Sequence, residues 1–139
     1  MVIKMIKKVS YIDTLPIRQS VLWPNKPLEF SKLDQDEIGT HFGYFVDNSL
    51  VAVISCFIKD NELQFRKFAC LKEHQGRGIG TLLLKYTMEF AKTNNVNSIW
   101  CNARVTATSL YKKFGLIIQD NSTFFKGSVE YVIMKKETN

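Results

Sequence analysis

Six residues, Gln75-Gly76-Arg77-Gly78-Ile79-Gly80, constrain this chain more than any other stretch, because of what stands on either side of them. Before them, Leu63-Gln64-Phe65-Arg66-Lys67-Phe68-Ala69-Cys70-Leu71 alternates as a strand does. After them, Ile79, Leu82, Leu83, Tyr86 and Phe90 recur at helical spacing and predict one buried helix face. The order is therefore strand, glycine loop, helix. Glycines let successive backbone N–H groups turn toward one point, and the helix dipole adds partial positive charge there. Arg77 adds a full charge beside it. The segment predicts a grip on a phosphate-bearing cofactor.

Spacing separates the glycine loops that do this. A P-loop needs Gly-x-x-x-x-Gly-Lys-Ser/Thr, which follows neither Gly76 nor Gly78. A dinucleotide loop reads G-x-G-x-x-G and closes the first strand of its unit, with an acidic residue roughly 20 positions on. Here the glycines run G-x-G-x-G in mid-chain, and Asn97-Ser98-Ile99-Trp100 offers no such acid. The remaining pattern is Gln/Arg-x-x-Gly-x-Gly/Ala, which residues 75–80 meet at every defined position.

That pattern resembles the pyrophosphate loop of the GNAT acyltransferase superfamily. A second stretch, Trp100 to Leu116, reads as a short strand and then a helix from about Thr106 to Phe114, stopped by Gly115. It resembles the superfamily's Ala-x-x-x-Tyr-x-x-x-Gly-Phe helix, with Leu116 in the last place. The resemblance implies that Tyr111 stands near the thioester sulfur and protonates the departing thiolate. It further implies acetyl-CoA as cofactor, with backbone groups of Gln75, Gly76, Arg77, Gly78, Ile79, Gly80 and Thr81 on the pyrophosphate. Phe68, Ala69 and Cys70 would line the pantetheine arm, and a main-chain N–H there would meet the thioester oxygen.

Residues 17–29, Arg66-Lys67-Phe68-Ala69 and residues 100–115 are together similar to one family, the glyphosate N-acetyltransferase-like proteins. This implies a small amine as acceptor, its anionic groups held by arginines. Two of the three arginine places match, at Arg66 and Arg104; the third is taken by Trp23, which would close the pocket with an apolar wall. The family's histidine base aligns with Tyr131, and a one-residue slip would put Glu130 there instead. A tyrosine beside arginines would have a lowered pKa, while capture of an already neutral amine would need no base.

At 139 residues, 45% hydrophobic and 23% charged, the chain is expected to be one domain, residues 1–139, of ordinary globular composition. It carries no apolar run long enough for a membrane span and no signal-peptide core, so a cytoplasmic location is expected. The net charge of +6 is spread in single lysines and pairs, which suits a polyanionic cofactor better than nucleic acid. Cys56, Cys70 and Cys101 are widely spaced in predicted strands, and His41 and His74 lack ligand spacing, so no metal is expected.

The expected fold is mixed α/β: a GNAT-like central, mostly antiparallel sheet flanked by helices, with a cofactor cleft at a parallel strand pair. Strands are expected near 2–9, 41–46, 50–58, 63–71, 99–103, 116–120 and 130–135. A first helix capped at Asp13 or Thr14 should run to about Leu22. Direct acetyl transfer in a ternary complex, by a monomer or homodimer, is the leading reading. Acetylation of a protein or peptide, or acyl-CoA binding without turnover, are the alternatives.

Overall fold

Left-handed residue pairs set the hairpins. Asp47 and Asn48 have φ of 48° and 70°, and Asp60 and Asn61 have 52° and 63°. Two consecutive residues with positive φ make a turn whose twist matches that of the flanking strands. The structure, a computed structural model, describes residues 1–138. Its strands are β1 (Lys4–Val9), β2 (Thr40–Val46), β3 (Ser49–Lys59), β4 (Glu62–Cys70), β5 (Ser98–Arg104), β6 (Ile117–Ile118), β7 (Phe124–Lys126) and β8 (Val129–Glu137). They form one sheet in the order β1-β2-β3-β4-β5-β8-β6, with β7 on β8. The β4–β5 pair is parallel, over residues 62–64 and 98–100, and the β1–β2, β2–β3, β5–β8, β6–β8 and β7–β8 pairs are antiparallel. The helices are α1 (Tyr11–Leu22), α2 (Ile79–Thr93) and α3 (Thr108–Lys113). This is the mixed α/β arrangement the sequence predicts.

The chain falls into two compact units, one of residues 1–57 and 66–87, the other of residues 58–65 and 88–139. In the first, Ile17 of α1, Val53 of β3 and Ala69 of β4 make a core cluster with Val21, Leu22, Leu50 and Leu71 packed on it. In the second, Leu63, Ile99, Leu116 and Met134 are buried to 2% exposure or less.

Four local expectations need correction. Helix α1 starts at Tyr11, not after Asp13, because Ser10 caps it: its Oγ accepts from the Asp13 N–H while the Asp13 carboxylate accepts from the Ser10 N–H. Pro16 therefore lies inside the helix and deprives the Ile12 carbonyl of its donor, a loss tolerated where Ile12 is exposed. The buried face of α2 is Ile79, Leu83, Leu84, Thr87 and Ala91; Leu82 and Tyr86 lie beside it, 45% and 41% exposed. A turn of 3-10 helix, Val105–Ala107, precedes α3, which is shorter than expected, and the chain leaves it through Gly115 at φ +88°. Strand β6 is only two residues, and the unforeseen β7 makes a hairpin with β8 through Gly127. No helix among the described residues is long and apolar enough to cross a membrane.

Candidate active site

In the first unit, β4 leads into a 3-10 turn, Lys72–His74, and then the glycine loop. Gly76 and Gly78 both have φ of +78°, and a Cβ at either would meet nothing within 4 Å. Glycine is needed there for backbone conformation, not for space. The first hydrogen bond of α2 runs from Leu82 N to the Gly78 carbonyl at 3.1 Å. The N–H groups of Ile79, Gly80 and Thr81 are thus left without helical acceptors, at the positive end of a fifteen-residue helix. A Cβ on Gly80 would meet Phe68 Cζ at 3.3 Å, so the small residue keeps the helix start close against β4. The side-chain amide of Gln75 donates to the Cys70 carbonyl at 2.9 Å and ties the loop back to the strand. Arg77 is exposed. These features fit an anion gripped by main-chain N–H groups. His74 is half-buried, and its Nδ1 has no hydrogen-bond partner among the described residues.

Strand β4 alternates cleanly only to Phe65; Arg66, Lys67 and Phe68 are all half-buried. Lys67 takes φ +54°, a left-handed kink costly for a residue with a side chain. Arg66 is half-buried. Its Nη1 donates to Gln35 Oε1 at 3.2 Å, and it has no carboxylate partner among the described residues. Burial, and then the nearby Arg18 charge, push its pKa down, while Asp36 opposes this. Trp23 ends α1, lies edge-on to Phe30 at 5.1 Å, and has the Lys67 ammonium 5.8 Å from its ring centroid.

The sequence reading missed the group that holds this region. Arg18 is fully buried: Nη1 donates to the Ser31 carbonyl (3.0 Å) and Asp36 Oδ2 (2.8 Å), and Nη2 to Asp36 Oδ1 (2.9 Å) and Ser55 Oγ (2.8 Å). Asp36 Oδ2 also accepts from Leu33 N at 2.7 Å. Burial opposes ionisation of Asp36, but the Arg18 hydrogen bond, the Leu33 N–H and the Arg18 charge outweigh it and hold the carboxyl below its ordinary range. His41 Nε2 lies 2.9 Å from the Asp36 carbonyl and so carries the proton; Nδ1, 2.7 Å from Ser55 Oγ, accepts. Burial lowers the His41 pKa, in keeping with this neutral form. Ser31, Asp36, His41 and Ser55 are dispersed over loop and strands, and no spacing in the sequence joins them to Arg18.

In the second unit, Tyr111 of α3 packs its ring 5.6 Å from Phe65. Burial, and then Cys101, push its phenol pKa far above the ordinary value. None of the described residues gives its hydroxyl a hydrogen bond. The Cys101 thiol is itself pushed up to about 12 by burial, so it is not poised as a nucleophile. Tyr131 of β8 pairs with Arg104 of β5 across the sheet and stacks on Phe124 at 5.3 Å and 13°. Arg104 is exposed at the end of its strand. The described residues contain no group of three or more His, Cys, Asp or Glu able to hold a metal.

Comparison with known proteins agrees with this geometry. Residues 10–116 match the model of the Acetyltransferase (GNAT) family. The uncharacterized N-acetyltransferase YitI of Bacillus subtilis is 29% identical over 119 residues, covering 79% of this chain and 80% of that protein. The fold is shared with the ribosomal-protein-S18-alanine N-acetyltransferase of Escherichia coli, at a TM-score of 0.82 and 17% identity over 99% of this chain and 95% of that one. It is also shared with a GNAT family acetyltransferase of Elizabethkingia anophelis solved with acetyl-CoA bound, at 0.74 and 18% over 96% and 97%. With the glycine loop on the helix start and a family match across three quarters of its length, the chain belongs to the GNAT acetyltransferase family and is an N-acetyltransferase.

Proposed function

We propose that this chain acetylates the amine of a small anionic metabolite from acetyl-CoA, by direct transfer with both substrates held at once, as one functional domain. One observation carries the acceptor class. Arg66 is a half-buried guanidinium whose only hydrogen-bond partner among the described residues is the neutral Gln35 amide. A cation partly removed from water with donors left over is a seat for a carboxylate or phosphonate. Arg104, exposed and without an ion-pair partner among the described residues, is the second candidate for the same task. Trp23, with Phe30 against it, supplies an apolar wall. This accords with a resemblance to glyphosate N-acetyltransferase-like proteins at the two arginine positions, without making glyphosate the substrate.

The glycine loop and the first turn of α2 would hold the pyrophosphate of acetyl-CoA, and Phe68, Ala69 and Cys70 its pantetheine arm. The cofactor supplies the acetyl group as a thioester. Tyr111 keeps a proton on its phenol oxygen for the sulfur. Tyr131, stacked on Phe124, is the candidate base, and an amine that enters neutral needs none. Gly78→Ala tests the loop: the added methyl meets nothing, so any effect comes from a backbone that alanine resists by about 1–2 kcal/mol. Its Kd for acetyl-CoA, measured by calorimetry, is expected to rise about tenfold. An unchanged Kd would mean that the loop does not bind the cofactor.

The acceptor test is acetyl-CoA-dependent thiol release with amino acids and aminophosphonates, their uncharged amides, and peptides. Wild type should prefer the anionic amines. Arg66→Gln should lower kcat/KM for them by about 10- to 100-fold, the worth of a hydrogen bond to a charged group, and leave the amides alone. Preference for peptides would move the acceptor to a protein N-terminus, the class named for the Escherichia coli fold relative.

A further inference from the structure

The segment between α1 and β2, residues 23–39, contains only two short 3-10 turns, Leu28–Ser31 and Asp36–Ile38. Such a segment is mobile unless its backbone is tied down. Here it is tied from within. Arg18, reaching out of α1, takes the Ser31 carbonyl and both oxygens of Asp36, and His41 takes the Asp36 carbonyl. Ser55 of β3 accepts from Arg18, so helix, segment and sheet of the first unit meet on one buried ion pair. Gln35 stands one residue before Asp36. Its own carbonyl accepts from Ile38 N and Gly39 N, both at 3.1 Å, which fixes its backbone. The side chain that remains free to point does so at Arg66, with Oε1 3.2 Å from Nη1.

Charge sorts the two arginines. Arg18 is bound to Asp36 on both sides of its fork and is closed to any ligand. Arg66 has a neutral amide where a carboxylate would silence it. An amide oxygen can orient a guanidinium through one N–H and leave its positive charge and its other donors unused. We infer that Gln35 is a positioning residue for acceptor recognition, aiming the Arg66 guanidinium at the anionic group of the amine from a turn that the buried Arg18–Asp36 pair holds still. This rests on the anionic-acceptor reading above.

The test compares wild type with Gln35→Glu and Gln35→Met on alanine, phenylalanine and aminomethylphosphonate, with alaninamide and phenylalaninamide as uncharged controls. Gln35 is exposed, so both variants should melt with the wild type. Gln35→Glu places a carboxylate on Arg66 that competes with the substrate's own. KM for the anionic amines should rise about tenfold or more, as for a lost hydrogen bond to a charged group, with kcat changed less than about twofold. KM for the amides and for acetyl-CoA should not move. Gln35→Met, which removes the acceptor without adding charge, should raise the same KM by about three- to fivefold. Equal changes for anionic amines and amides, or none for either, would overturn the inference while leaving the wild-type preference for anions standing. A wild type without that preference would take down the anionic reading and this inference together.

Discussion

Asp36→Asn is expected to cost about 3–5 kcal/mol of folding stability, the loss that follows when one partner of a buried ion pair is removed. Both side chains of the Arg18–Asp36 pair are 0% exposed. The variant would leave the Arg18 guanidinium out of water and facing a neutral amide. For a domain of this size the loss corresponds to roughly 10–20 °C in Tm. Dependence on pH identifies the pair as the cause. The folded pKa of Asp36 is depressed, so its contribution is present in full above the unfolded carboxyl pKa and is lost as pH falls through the folded value. Denaturant unfolding of wild type and variant should therefore differ most at neutral pH and converge below about pH 4. Arg18→Met should cost a similar amount, and the double variant less than the sum, because each single change leaves an orphaned charge. A loss under about 1 kcal/mol for Asp36→Asn at pH 7 would show that the pair does not hold this segment.

What was legible in the sequence was what chemistry within a few residues decides. The glycine loop and the stop at Gly115 are written in residues that tolerate positive φ, and each stands where it was expected. The start of α1 was misplaced because Asp13 and Thr14 are themselves of capping type, while the reciprocal Ser10–Asp13 cap starts the helix earlier and outweighs the N–H missing at Pro16. Periodicity found α2 but put its face off, since Leu82, Leu83 and Leu84 are consecutive and packing buries Leu83 and Leu84 and leaves Leu82 exposed. Strand β7 is three residues long, too short for any period, and exists through its pairing with β8. The Arg18 group was invisible for a stronger reason. Positions 18, 31, 36, 41 and 55 have no common spacing; the pairing of β2 with β3 brings His41 opposite Ser55, and Arg18 arrives from a helix. The same holds for Gln35, a polar residue in an irregular stretch with no motif to mark it.

Tyr111→Phe is expected to lower kcat by about 100-fold or more, the range for losing a positioned proton donor, with little change in KM for acetyl-CoA or in Tm. The ring stays and keeps its packing on Phe65, and among the described residues the lost hydroxyl has no hydrogen-bond partner to disappoint. A stability assay is thus blind to the change and an activity assay is not, which separates catalysis from packing. Burial is the main cause that raises the phenol pKa, so Tyr111 holds its proton throughout the neutral and mildly alkaline range. The wild-type rate should then show no fall from Tyr111 ionisation below about pH 10, the ordinary phenol value. A thiolate needs only a donor that is reliably protonated and close, and this residue meets the first condition by its surroundings. Steady-state rates with a saturating amine, from pH 6 to 10, decide the matter. A variant that turns over like the wild type would make Tyr111 a packing residue. A wild type that binds acetyl-CoA but turns over no amine would make this chain a binding module in which the hydroxyl has no work to do.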